Sequence, residues 1–286
     1  MTGMCGVTAI WTRETSWRQG HVLPHEAIQA LGLIHPDAPE ATCVVVASHD
    51  CDLANDNLHV EPDVEVIIGC HPNRVNGNYF WAKAPRTLHL EVLHKGVPAT
   101  IELTATVKRL VPKIKLAQFP PNTAYSLSGK SLSILRSWLA IRYNRGAFPD
   151  PFVRRLSQCK VDKGLARLIE PLGQYLSAVY FDVDGGKELD RTDGSAYELK
   201  IVLVYAPGDN PEKTADEVEA LEGSIADMFA ARHFDSATST WNGIALRSCM
   251  SVSEDDLTVS SARLLTQWRL EYMTLKADDE QPGMPT

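Results

Sequence analysis

No apolar run in this sequence approaches the ~20 residues that cross a bilayer, so no membrane-spanning helix is expected. There is no CxxC pair. The six cysteines, Cys5, Cys43, Cys51, Cys70, Cys159 and Cys249, are scattered along the chain, which gives no spaced redox or zinc framework. Walker A, GxGxxG, HExxH, GxSxG and EF-hand patterns are all missing, so P-loop hydrolysis and NAD-dependent redox chemistry lose support. Residues 1–12 lack a basic end followed by an apolar core, and no export signal is expected. The thiols are therefore read as reduced, in a cytoplasmic protein. Cys43 and Cys249 stand in apolar, strand-like runs and read as core.

What is present is ordinary globular composition. The 286 residues are 44% hydrophobic and 22% charged, enough to bury a core without disulfides or metal. The net charge of −8 is uneven. Residues 1–103 carry 6 Lys/Arg against 12 Asp/Glu, residues 104–167 carry 13 against 2, and residues 168–286 carry 9 against 22. A basic block inside an acidic chain repels itself. It needs either an anionic partner such as nucleic acid or a nucleotide, or docking onto acidic flanks of the same chain.

The pattern predicts an α+β fold: a small N-terminal β-barrel or curled sheet, a helical middle and a C-terminal β-α-β-β layer. The boundaries expected are 1–120 for the barrel-like part, 121–180 for the basic helical segment, 181–275 for the last layer and 276–286 for a flexible tail. Strands are expected at 42–47, 64–68, 87–92 and 100–107, the last two joined through Lys95-Gly96. A short helix with Ala27, Ile28 and Leu31 on one face should end at Pro36 and Pro39. Ser131 reads as the cap of a helix carrying Leu135 and Trp138. Further helices are expected from Pro151 and over 163–175. The last third reads as a strand at 198–205, a helix from Pro211 burying Val218, Leu221, Ile225, Met228 and Phe229, and strands at 243–250 and 257–275. The helix should cover an antiparallel sheet.

The richest polar cluster is Ser48-His49-Asp50-Cys51-Asp52, directly after the first β-branched run. Two carboxylates, an imidazole and a thiol within five residues suit proton transfer or a divalent metal. The catalytic candidates are thus Asp50, Asp52, His49 and Cys51, with Glu61 nearby, and Asp50 and Asp52 are the metal-ligand pair. In an extended chain His49 and Cys51 would share one side and Ser48, Asp50 and Asp52 the other. The competing reading is an Asx-type turn that ties off the strand. A zinc set adding Cys70 and His71 has acceptable donors but no recognised spacing.

The second cluster surrounds Trp138. Arg142 and Arg145 are three apart on a helix, and Arg154 and Arg155 follow the break at residues 146–151. With Tyr143 they could hold phosphates and stack on a base. The alternative is an internal arginine network pinned by Asp150.

At Trp17-Arg18-Gln19-Gly20, at Ser48-His49-Asp50-Cys51-Asp52-Leu53 and over 138–150 the chain resembles bacterial proteins of mobile or defence-related gene neighbourhoods, for which no activity is established. The first ~110 residues also resemble the PemK/MazF toxin barrel. The matching stretches are 18–23, the valine-rich strand 44–48 that ends in Ser48, and the apolar strand 64–70. The chain departs from that family's pattern at Glu40-Ala41-Thr42 and at Gly69-Cys70-His71. The resemblance implies a barrel and ribonuclease activity of the toxin type.

Three functions compete. One is a nucleic-acid-acting protein, hydrolytic through the Asp/His cluster, with a divalent metal as the cofactor such chemistry calls for. Another is a non-enzymatic binding or assembly module that docks a basic partner or a second copy of itself. The third is an enzyme or sensor for a small nucleotide ligand.

Overall fold

Lys95 and Gly96 both take positive φ, 53° and 79°, the geometry of a tight two-residue hairpin turn. They join β3 (Thr87–His94) to β4 (Val97–Pro112), so the expected hairpin is present. The computed structural model describes residues 10–141, 148–187, 189, 191, 193–258, 262 and 265–269. The chain is α+β with a curled first sheet. It forms two compact units, Met1–Val75 with Arg86–Arg142, and Asn76–Pro85 with Tyr143–Thr286. The helical stretch expected at 121–180 is thereby divided between them.

In the first unit, α1 (His25–Leu31) precedes β1 (Thr42–Val46), α2 (Asp50–Ala54) and β2 (Asp63–Cys70). After the hairpin come α3 (Lys113–Leu116), β5 (Tyr125–Ser126) and α4 (Gly129–Ile141). The sheet order is β1-β2-β4-β3-β5, antiparallel throughout. Its pairing jumps register between Ile67 and Gly69. A side chain at Gly69 would stand 2.3 Å from the Glu102 carbonyl oxygen, so glycine permits the close approach at the bend. The outer edge of β1 is covered by the preceding segment: Gly20 N–H donates to Val46 O and Leu23 N–H to Val44 O, both at 2.9 Å. On one face Val44, Val46, Val66 and Ile68 pack with Trp17, Leu23 and Ile28. Each such burial is worth ~1.5–3 kcal/mol.

Two helix ends differ from expectation. Gly32, in the left-handed region at φ 65°, ends α1 before either proline is reached. The cap of α4 is Ser128, whose Oγ accepts the Ser131 N–H at 3.0 Å. Ser131 is the third residue of the helix, and the hydroxyl that reaches it lies one turn earlier.

The second unit contains α5 (Asp150–Gln158), α6 (Val161–Ile169), β6 (Leu176–Val183) and β7 (Tyr197–Tyr205). Then follow α7 (Pro211–His233), β8 (Phe234–Asp235), β9 (Thr240–Trp241), β10 (Ile244–Ser253) and β11 (Thr266–Gln267). The main sheet has the order β10-β7-β6-β11. β6 and β7 are antiparallel. The antiparallel expectation fails at β10, which pairs parallel with β7, because the long helix between them carries the chain back along the sheet before β10 begins. The helix expected at 163–175 ends at Ile169, and β6 follows where no strand was expected. Among the described residues of 257–275, only Thr266–Gln267 is strand. Phe152, Leu156, Val161 and Leu165 of α5 and α6 share a core with Phe181, Tyr197 and Phe229.

The outer edge of β10 is guarded. Glu254 N–H donates to Tyr205 O, so by alternation the Ser251 N–H points away from β7. Glu222 of α7 takes that amide at 2.6 Å and the Ser251 hydroxyl at 2.5 Å. A carboxylate thus fills a position where a foreign strand would pair.

Residues 76–85 complete this unit from within the sequence of the other. A Cβ at Gly77 would lie 2.0 Å from Glu170 O, and Trp81 Nε1–H donates to Gln174 O at 2.7 Å. Trp81 and Ala82 both have left-handed φ, 59° and 58°, a conformation costly for residues with side chains. Lys83, 2% exposed, donates from Nζ to Gly173 O and Leu176 O at 2.5 and 2.6 Å. Burial pushes its ammonium down to about 7.

Candidate functional site

The 48–52 cluster is positioned by the end of β1. Ala47 and Ser48 N–H groups donate to Glu65 O, and Ser48 Oγ accepts the Glu65 N–H at 2.8 Å. The chain then turns helical at Asp50, so the side-sorting of an extended strand does not apply. His49 is the N-cap of α2, its Nδ1 accepting the Cys51 N–H at 3.2 Å. With Nδ1 an acceptor, the neutral ring carries its proton on Nε2.

Asp50 is held from two sides. Its Oδ1 accepts the Gln19 N–H at 2.8 Å and its Oδ2 lies 3.4 Å from an Arg136 nitrogen. Arg136 Nε–H donates to Gln19 Oε1, and Gln19 Nε2–H donates to Ala47 O, both at 2.8 Å. The chain that precedes β1, the strand end and α4 are thereby joined through one carboxylate. Asp52 and Cys51 are exposed. At the far end of α2 the buried Lys113 donates from Nζ to Asp52 O and Asn55 O at 2.6 and 2.8 Å, a cation at a helix C-terminus. Burial pushes the Lys113 ammonium down, while Glu61, Asp52, Asp56 and Asp63 oppose the shift.

Of the candidate catalytic residues, His49 thus caps α2 and Asp50 ties Gln19 to Arg136. The Asp50–Asp52 metal pair does not converge, since two helical positions apart means side chains about 200° apart. Among the described residues no group of three or more His, Cys, Asp or Glu could hold a metal ion. The zinc set fails at His71 too, where Nδ1 meets Thr100 O at 3.0 Å and Nε2 meets the Tyr125 hydroxyl at 2.8 Å. Tyr125 in turn hydrogen-bonds Cys43, whose thiol burial pushes up to about 12. The first unit also holds a cavity of about 370 Å³ beside the start of α4, lined in part by Glu91, Leu93, Ser126 and Lys130.

The expected basic cluster also changes membership. Arg142, Tyr143 and Arg145 lie outside the described residues. Arg155 serves the interior: its guanidinium donates to the carbonyls of Ser195, Gly243 and Arg191 at 2.6–2.9 Å and stacks 4.9 Å from the Tyr197 ring centre. That is the internal arginine network, with carbonyls in place of Asp150. Arg154 is exposed.

Three cations on or beside α6 were not singled out from sequence. Val161, Leu165 and Ile169 are buried, and Lys163 and Arg167, one turn apart on the opposite side, are exposed, as is Lys160 just before the helix. The alternation of buried and charged positions in 160–169 is the signal that could have found them. Arg232, from the last turn of α7, donates to the carbonyls of Cys159 and Lys160. Beneath them Asp162 is partly buried, which pushes its carboxyl up, and Lys163 and Arg232 pull it down.

Folding also redistributes the charge. The first unit has 12 Lys/Arg and 12 Asp/Glu, the second 16 and 24. Arg154, Lys160, Lys163 and Arg167 are thus exposed cations close in sequence on a net acidic unit. No known protein family, curated protein or solved structure matches this chain.

Proposed function

We propose that the protein is a nucleic-acid-binding protein that grips phosphates with Arg154, Lys160, Lys163 and Arg167. The observation that carries this reading is their exposure on two consecutive helices and the turn between them, in a unit whose other charges are mostly acidic. Among the described residues none of the four is in an ion pair. Guanidinium and ammonium groups left to solvent are suited to phosphate oxygens, and the acidic remainder of the unit confines an anionic polymer to this face. The reading is of binding. It assigns no hydrolytic step to His49, Asp50, Cys51, Asp52 or Glu61.

The test is binding of a labelled oligonucleotide against salt concentration. The log–log slope should be about −0.7 to −0.9 per neutralised phosphate. The double substitution Lys163→Glu, Arg167→Glu should weaken binding at least tenfold and flatten the slope, and Asp50→Ala should leave affinity unchanged. Affinity independent of salt, or unaffected by the double substitution, overturns the proposal.

A further inference from the structure

The hairpin β8–β9 stands beside the basic corner and carries two aromatic rings. Two arginines fasten it there. Arg232, one residue before the buried His233 and two before Phe234, donates to the carbonyls of Cys159 and Lys160. Arg155, next in sequence to the exposed Arg154, donates to Gly243 O at 2.8 Å, two residues beyond Trp241. The hairpin is thus bracketed on both sides by bonds to the α5–α6 corner. Its base is closed by Asn242 N–H donating to His233 O at 2.6 Å and by His233 Nδ1 against Asn242 O at 2.8 Å. Phe234 and Trp241 face each other with ring centres 5.2 Å apart and planes tilted 57°. Trp241 rests on the core of the unit, while Phe234 is 39% exposed.

From this juxtaposition we infer that the ligand of the basic face is single-stranded nucleic acid, with a base stacking on the Phe234–Trp241 pair while Arg154, Lys160 and Lys163 hold the backbone. The inference rests on the binding reading above and narrows it. Phosphate contacts alone do not distinguish a duplex from a single strand. An aromatic face held rigidly beside cations does, because only an unpaired strand offers base faces for stacking. Trp241 anchors the platform and Phe234 supplies its outer ring. The nearest hairpin carboxylate, Asp235, accepts the Ala237 N–H at 2.9 Å and is turned toward its own backbone.

The experiment compares a 20-nucleotide single strand, as DNA and as RNA, with the duplex of the same length at one salt concentration, using the full chain. The single strand should bind about tenfold tighter than the duplex, the worth of roughly one base stack. Phe234→Ala should remove that advantage and leave duplex affinity unchanged, and Phe234→Tyr should restore it. Phe234 is exposed enough for both variants to fold, which thermal unfolding checks. Equal binding of the two forms with Phe234→Ala silent overturns this inference and leaves the binding reading standing. No binding of either form overturns both.

Discussion

Arg191 grips Asp184 with two guanidinium nitrogens, Nη2 on Oδ1 at 2.7 Å and Nε on Oδ2 at 2.9 Å. The Asp184 carboxylate is almost completely buried, and its Oδ1 also accepts the Glu198 N–H at 2.9 Å. This pair fastens the turn after β6 to the start of β7, where Arg155 and Arg191 both lie against the Tyr197 ring. Burial by itself would raise the Asp184 carboxyl, but the bonds from Arg191 and Glu198 outweigh it and hold the carboxyl below the ordinary range. Asp184→Ala leaves the partly exposed Arg191 guanidinium and the Glu198 N–H without their acceptor and should cost about 2 kcal/mol in urea unfolding. The stability this carboxylate supplies is complete above the ordinary aspartate value and is lost as pH falls through the lower folded value. Asp184→Asn should therefore flatten the acid limb of the stability profile, and an unchanged limb would refute the assignment.

Lys83 shifts stability in the same direction but in a higher pH window. Its folded value of about 7 lies below the value of a free lysine, so between the two the unfolded chain binds the extra proton. Stability should rise as pH increases from about 7 toward the ordinary lysine range, with the cost of the buried charge fully present below that window. Lys83→Met should remove this rise. Urea midpoints for both proteins at neutral and alkaline pH decide the matter, and parallel profiles would count against it.

Glu222 is expected to keep β10 from pairing with a foreign strand. Glu222→Ala should free the Ser251 N–H and hydroxyl, cost about 1–2 kcal/mol, and make the protein associate with concentration in sedimentation velocity. A variant that stays as dispersed as the parent protein shows that the edge is protected by something else.

The first sheet was legible because its strands have local signatures: the β-branched run of β1 and the Lys95-Gly96 turn state their geometry without help from the rest of the chain. β6 was hidden because the helical pattern of α6 reads on through Pro171, although the chain needed a strand for Phe181 to reach the core. The parallel pairing of β10 depends on where α7 returns the chain, and periodicity carries no such information. At the candidate site, the composition of 48–52 was visible but its task was not. That task depends on Gln19 and Arg136, 31 and 86 residues away from Asp50. Arg155 looks like Arg154 in sequence, and only the positions of three distant carbonyls assign one to the interior and the other to the surface. Phe234 and Trp241 sit in strands of two residues each, too short for any pattern to mark.

The ten residues from Asn76 to Pro85 interrupt the first unit in sequence and belong to the second in space. No single cut in the gene can therefore yield two self-sufficient halves: a fragment starting after the first unit would lack Lys83 and the paired approach of Gly77 to Gly173, and a fragment ending there would carry an orphaned loop. Replacing either unit by another module would therefore mean exchanging two separate stretches of sequence at once.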